Sequence, residues 1–341
     1  MSKIKYLFKR ILKMNYKKFF DTINLVHKRS NKNRIYIFFD IIICGLKYQA
    51  GYMDYNLFEM YNMNSKERKT IITRGINNSF IKKYNDQSQI YKFEDKVEFN
   101  KIFDKYLNRE WLYLSEASLE DFKKFIKGKT EIIVKPIDSS CGTGIEIIDP
   151  RKKDAKELYD TLIKNGQLLV EDVVKQNKEI SDIYPHSVNT LRVVTINKKV
   201  VAAYLRIGNK GNVVDNFNHG GMATKVNIEN GLIEYPAIDK ESKVYDVHPE
   251  TKKAIVGVRV PMWDEVVKLC EEISHIIPEV GYVGWDICVG DKKLYLIEGN
   301  DFPGHDIYQL PVHRSDNYGD LPIFEKAMRG DENENSNSNR S

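Results

Sequence analysis

Asp286, Glu298 and Asn300 carry the most specific chemical signal in this 341-residue chain. They lie in or just after two short apolar runs, GYVGWDICV (281–289) and KLYLIEG (293–299), which are rich in β-branched and aromatic residues and read as strands. A hairpin with a three-residue loop at 291–293 pairs Gly290 with Leu294, Cys288 with Leu296, and Asp286 with Glu298. Because side chains alternate with period two, Asn300 falls on the same face as the two carboxylates. Directly opposed residues have Cβ atoms about 5 Å apart, and like charges there repel. A hard divalent cation such as Mg²⁺ is one compensation, with the Asn300 amide adding a neutral oxygen. A solvated strand face with a salt-bridge partner is the other. Trp285, Ile287, Leu296 and Ile297 imply a covered sheet, which favours the cation.

Three further groups could handle anions. In EIIVKPIDSSCGTGIEIID (131–149), Lys135 interrupts an apolar strand, where a buried ammonium requires an anionic partner such as a phosphate. The following polar loop, with Ser139, Ser140, Gly142, Thr143 and Gly144, offers backbone N–H groups and glycines that permit close approach to phosphate oxygens. It is neither a P-loop nor a G-x-G-x-x-G turn, because the spacing differs and a strand follows. In NTLRVVTI, Asn189 and Arg192 open a strand, and the planar fork of arginine suits phosphate. Finally, Arg206, Asn216, Gly220, Gly221 and Lys225 could surround an anionic or reacting group; a glycine-rich surface loop is the alternative for this stretch.

The elements that must position these residues follow from periodicity. Residues 1–128 are mainly helical in pattern, with apolar positions three and four apart. From about 130 the period becomes two, giving strands at 131–137, 145–149, 167–173, 191–196, 200–207, 281–289 and 293–299. Two helices interrupt them, one ending at Gly166 and one opening at Pro261 with Asp264 and Glu265 in its first turn. The expected fold class is α+β, with a basic helical N-terminal region (1–90), a catalytic region (91–330) and a disordered tail (331–341) without a hydrophobic residue.

Composition excludes several classes. With 42% hydrophobic and 30% charged residues the chain is globular rather than disordered or fibrous. Its four cysteines are widely separated, form no zinc pattern, and fit reduced thiols in the cytoplasm. Residues 1–34 hold eleven Lys/Arg and only Asp21, so the remainder of this +5 chain is net acidic. Cations interleaved with aromatic and aliphatic residues suit a helix on an anionic membrane surface, and the inner face of the membrane is an expected peripheral location. A basic helix packed on its own protein is the alternative. No nucleic-acid motif accompanies the basic stretch, so nucleic acid is not an expected partner. The apolar run 35–46 is too short for a membrane span and contains Asp40, so it reads as a buried helix.

In this order, the pieces VKP, SSCGTG, LLVED, HSVNTLRVVT, DNFNHGG, GWD and IEGN resemble the ATP-grasp superfamily, specifically its sugar-transfer-associated branch found among polysaccharide biosynthesis proteins. The resemblance covers about residues 90–315, and the Asp286 to Glu298 to Asn300 spacing matches the family's metal signature. It implies two α+β lobes clasping ATP, with Lys135 on the α and β phosphates and the loop Ser139 to Gly144 closing over them. Glu171, Asp172, Val173 and Val174 would form the linker that pairs with adenine, with Glu179 at the ribose. Arg192 would meet the γ-phosphate or an acyl phosphate beside Asn189, and Asp286, Glu298 and Asn300 would hold Mg²⁺. The usual second ATP-contacting lysine has only Lys96 as a candidate. The implied activity is ATP-dependent joining of a carboxylate to an amine through an acyl phosphate. The implied substrates are a sugar acid or amino sugar, carried as a sugar nucleotide or lipid-linked glycan. A small-molecule kinase and a non-catalytic nucleotide-binding module are the alternatives.

Overall fold

The structure is a computed structural model that describes residues 14–137, 144–211, 215–217 and 220–338. The chain divides into two compact units, one formed by residues up to Asn85 together with those from Pro303 onward, the other by Asp86–Phe302. Segment 303–330, read from the sequence as part of the catalytic region, therefore belongs with the helical N-terminal residues.

In the first unit, helices α1 (Tyr16–Ser30), α2 (Arg34–Tyr48) and α3 (Tyr52–Leu57) close on a core that includes Phe19, Ile23, Ile37, Ile41 and Phe58. Asn15 and Asn33 cap the first two, each accepting a backbone N–H in the first turn. Helix α4 (Arg74–Tyr84) follows. The returning C-terminal segment is tied in by Gln309, which both donates to and accepts from the Ile72 backbone. The last helix runs over Leu321–Ser338, and its Phe324 stacks on Phe80 at 5.9 Å. Regular backbone thus continues past Asp331, where loss of apolar residues predicted disorder. Once a helix is nucleated, each added residue closes one more hydrogen bond.

The second unit contains helices α5 (Lys96–Leu107), α6 (Leu119–Ile126), α7 (Ala155–Lys164) and α8 (Trp263–Ile273) and two antiparallel sheets. The smaller sheet has the order β1-β4-β2-β3, from β1 (Trp111–Tyr113), β2 (Ile132–Lys135), β3 (Glu146–Ile148) and β4 (Leu169–Asp172). The larger is seven-stranded, ordered β11-β10-β5-β6-β7-β8-β9. Its strands are β5 (Leu191–Ile196), β6 (Lys199–Ile207), β7 (Met222–Lys225), β8 (Ala237–Asp239), β9 (Val244–Tyr245), β10 (Tyr282–Val289) and β11 (Leu294–Asn300). One face of this sheet supplies Val193, Leu205, Val283, Trp285 and Ile287 to a core shared with Phe103 of α5 and Val266, Cys270 and Ile273 of α8. Alternation then assigns the intervening residues, Arg192 and Asp286 among them, to the other face. This is the α+β architecture that the change of period predicts. Strand β1, within the helical-looking region, and β7, within the glycine-rich stretch, are too short to leave a periodic signal.

Candidate active site

Five strands of the large sheet align Glu298, Asp286, Arg192, Tyr204 and Lys225 in one transverse row, each opposite the next. Residues more than a hundred positions apart thereby share one face. The ladder between β10 and β11 pairs Val289 with Leu294, Cys288 with Tyr295 and Ile287 with Leu296, then shifts so that Asp286 meets Glu298. Ile297 is the extra residue of this bulge. The turn is one residue shorter than the sequence suggested, since the Gly290 N–H donates to the Lys293 carbonyl at 3.0 Å, leaving only Asp291 and Lys292 between them. Cys288 therefore does not face Leu296. Asp286 does face Glu298, because the bulge restores the missing residue.

Asp286 is fully buried. Arg192 donates through Nε to Oδ1 and through Nη2 to Oδ2 at 3.0 Å, and Arg206 Nη2 donates to Oδ2 at 2.8 Å. Burial alone would raise the Asp286 pKa; the two guanidinium groups instead hold it down to about 2. Burial also opposes the charge of Arg192, but Asp286 outweighs it and raises the arginine pKa. Glu298 has an exposed side chain, yet protein crowds it closely enough that desolvation, and then the Asp286 charge, push its carboxyl up to about 7. Asn300 follows on the same face, half-buried, its Oδ1 accepting the Phe302 N–H at 3.0 Å. Three oxygen-bearing side chains on one face, one of them a carboxylate whose ionisation is opposed by burial and then by its neighbour, fit a hard divalent cation. Added positive charge would return Glu298 to its ionised form.

A second cluster lies where the small sheet meets β11. Glu171 of β4 is buried and accepts from Lys135 Nζ at 2.6 Å, Arg109 Nε at 3.0 Å and Asn100 Nδ2 at 3.0 Å. Burial would raise its pKa, but Arg109 and then Lys135 hold the carboxyl well below the usual carboxylate range. Two cations against one carboxylate leave an excess of positive charge, which suits a phosphate. Arg109 also donates to the carbonyls of Leu296 and Ile297, the residues at the bulge. Lys96, the first residue of α5, donates to the carbonyls of Pro136 at 3.0 Å and Ile137 at 3.1 Å, just before the glycine-containing loop.

Other expected site residues are placed unevenly. Asp172 pairs with Lys129 and caps the Glu110 N–H, Val173 is half-buried, and Val174 packs with Cys288 and Tyr295 in a small apolar cluster. That cluster continues the site face of β10 two residues beyond Asp286. Glu179 is exposed on the single turn Lys178–Ser181. Asn189 is not brought into the row: it is buried, its amide donates to the Ile180 and Tyr184 carbonyls at 3.0 Å each, and its oxygen accepts the Gly208 N–H at 3.1 Å. Arg206 joins the row through Asp286 and also donates to Thr190 Oγ1 at 2.7 Å. Lys225 is half-buried at the end of the row, and Asn216, also half-buried, accepts the Gly221 N–H at 3.1 Å. Ser139, Ser140, Gly142 and Thr143 lie outside the described residues. Gly144 adopts φ +75°, and a Cβ there would stand 2.7 Å from Pro136 Cγ, so this end of the loop requires glycine.

Nothing in the sequence singled out Arg109, Tyr204 or Asp215. Asp215 accepts from the Thr190 N–H at 2.8 Å and lies 3.5 Å from Arg206 Nε. The one usable signal was for Arg109, which stands two residues before the short aromatic strand Trp111–Tyr113.

Residues 75–316 match the family described as sugar-transfer associated ATP-grasp. The chain belongs to that family. This ATP-grasp chain is also 29% identical over 150 residues to a probable alpha-L-glutamate ligase of Histophilus somni strain 129Pt, a stretch covering 41% of this chain and 47% of that protein. The corresponding protein of strain 2336 is 28% identical over the same length. The chain thus spans about half the length of these relatives. Among solved structures, it is similar to the ATP-grasp ligase PsnB complexed with minimal precursor, with 12% identity, a TM-score of 0.43, and coverage of 77% of this chain and 70% of the other. For the D-alanine–D-alanine ligase of Bacillus anthracis the values are 14%, 0.40, 76% and 77%.

Proposed function

We propose that this chain is an ATP-dependent carboxylate–amine ligase. A substrate carboxylate would take the γ-phosphoryl group of ATP to give an acyl phosphate and ADP, and an amine would displace phosphate to form the amide. The row from Glu298 to Lys225 is the observation that carries this reading. Carboxylates stand at one end of it, where they would hold a cation, and arginine and lysine stand along the rest, where they would meet phosphoryl and carboxylate oxygens.

Asp286, Glu298 and Asn300 would hold Mg²⁺, which supplies charge neutralisation at phosphate oxygens when bound. Arg192 and Arg206 are fixed by Asp286, so their positive charge is preorganised and needs no rearrangement as anionic charge develops. Lys135, on the cationic side of the Glu171 cluster, would take the α and β phosphates, and the loop ending at Gly144 would supply backbone donors. The apolar cluster of Val174, Cys288 and Tyr295 borders the segment proposed to meet adenine. No protein nucleophile is required; the chain aligns two reactants and excludes water.

The family's description as sugar-transfer associated supports a sugar acid or amino sugar of surface polysaccharide assembly as substrate. Phosphate release from ATP and Mg²⁺, screened over sugar acids against amines, tests the reading. ADP and phosphate should appear only when acid and amine are both present, with an amide as product. A phosphorylated acceptor without free phosphate would make the chain a kinase, and no turnover with any pair would count against the ligase.

A further inference from the structure

Helix α2 is apolar on both sides. Its inward face, with Ile37, Ile41, Cys44 and Tyr48, is buried. At 100° per residue, Ile35, Tyr36, Phe39, Ile43 and Leu46 fall within an arc of roughly 100° on the opposite side. All five are exposed, Ile35 at 68% and Phe39 at 58%. A surface helix ordinarily carries polar residues there.

The two faces cannot exchange. Asp40 on the inward side accepts from both Arg68 Nη1 and Nη2 at 2.7 Å and from the Tyr55 hydroxyl at 2.7 Å. Lifting the helix away would strand a buried ion pair. The helix therefore stays on its own unit and offers only the outer stripe. Beside the stripe, α1, α2 and α3 enclose a mainly apolar groove of about 1120 Å³, entered past Phe20 and Met53, which are 53% and 67% exposed. Lys18 lines the groove, Lys47 falls at the edge of the α2 stripe, and exposed Lys17 and Lys28 fall on the side of α1 away from its buried residues, whereas Asp21 is the one exposed acid of the two helices.

We propose that this face of the helical unit seats on an anionic lipid bilayer, with α2 lying in the plane of the interface. No helix among the described residues is long and apolar enough to cross a membrane. The 15 residues of α2 span roughly 22 Å, short of the approximately 30 Å hydrocarbon core. Aromatic and aliphatic side chains ringed by lysines match the boundary between acyl chains and anionic headgroups. A second copy fits less well, because self-apposition would bring the lysines of both copies together. The sequence alone located membrane contact in residues 1–34; the structure assigns its apolar part to 35–46 and leaves the exposed lysines of α1 to the cationic border. The proposal does not depend on the reaction catalysed.

Sedimentation of the full chain with vesicles decides it. Pelleting should occur with phosphatidylcholine mixed with phosphatidylglycerol, not with phosphatidylcholine alone, and should fall as salt rises. The combined change Ile35→Ser, Phe39→Ser and Ile43→Ser should abolish it while the melting temperature holds. Lys17→Gln, Lys28→Gln and Lys47→Gln together, a variant that leaves the apolar stripe and the packing untouched, should weaken binding roughly a hundredfold. Absence of pelleting with anionic vesicles at low salt, or equal pelleting with neutral ones, would overturn the assignment. So would a concentration-dependent dimer that the serine variant dissolves while no vesicle binds.

Discussion

Glu298 stands directly opposite Asp286 because Ile297 is inserted between two differently registered halves of the β10–β11 ladder. The two carboxylates are nevertheless unequal. Asp286 is buried between two arginines, while Glu298 faces the open side of the row with its carboxyl pushed up to about 7.

Glu298→Gln should therefore stabilise the metal-free protein in a pH-dependent way. A raised pKa means that the native state tolerates the protonated form better, so stability declines as pH rises through about 7. At pH 4, where the carboxyl is mainly protonated in both folded and unfolded chains, glutamine and protonated glutamate are nearly isosteric and melting temperatures should coincide. At pH 8 the variant should melt higher, and with substrates its turnover should be lost. Equal melting at both pH values would show that the pair does not repel.

Asp286→Asn is expected to behave differently, although the sequence alone treats the two carboxylates alike. It leaves Arg192 and Arg206 facing a neutral amide, and breaking a buried ion pair of this kind costs about 3–5 kcal/mol. Chemical denaturation should show the loss, along with abolished turnover. A stability equal to that of wild type would mean that the arginines find other partners.

Lys135→Ala should weaken ATP binding through loss of a charge-assisted contact of roughly 1.5–3 kcal/mol. Calorimetry of nucleotide binding reads this directly. The same substitution removes one of the cations holding Glu171 ionised. The depressed Glu171 pKa contributes stability above the ordinary carboxylate range that is lost as pH falls, so the variant should be less stable at neutral pH by a margin that narrows in acid. Unchanged nucleotide affinity would remove Lys135 from the phosphate site.

Gly144→Ala should raise the KM for ATP with a smaller effect on melting temperature. Its φ of +75° costs a non-glycine residue about 1–2 kcal/mol, and the new Cβ would strike Pro136. A KM equal to that of wild type would show that this end of the loop does not serve the nucleotide.

The strands carrying Arg192, Asp286 and Glu298 were legible because each is long enough for period two to show, and the Asp286–Glu298 pairing follows from their spacing. The bulge was not, since a shorter turn and an extra residue cancel at that pair and differ only between them. Lys225 could be placed near the site but not in the row, because its alignment with Arg192 runs through Tyr204 on an intervening strand. Arg109 was hidden for a related reason: its carboxylate partner lies 62 positions away on a strand paired with the one that follows it. Asn189 shows the reverse error, a polar residue beside Arg192 whose amide is consumed in holding loops together.

Arg109 grips the Glu171 carboxylate of the small sheet with one edge of its guanidinium and the bulge carbonyls of β11 with another. Separating the two sheets at this point would leave a buried charge without its counterion, so parting them here is costly. If the small sheet swings to admit or release a nucleotide, Arg109 is its hinge pin. The far edge of the small sheet, at β3, is where the travel would be greatest.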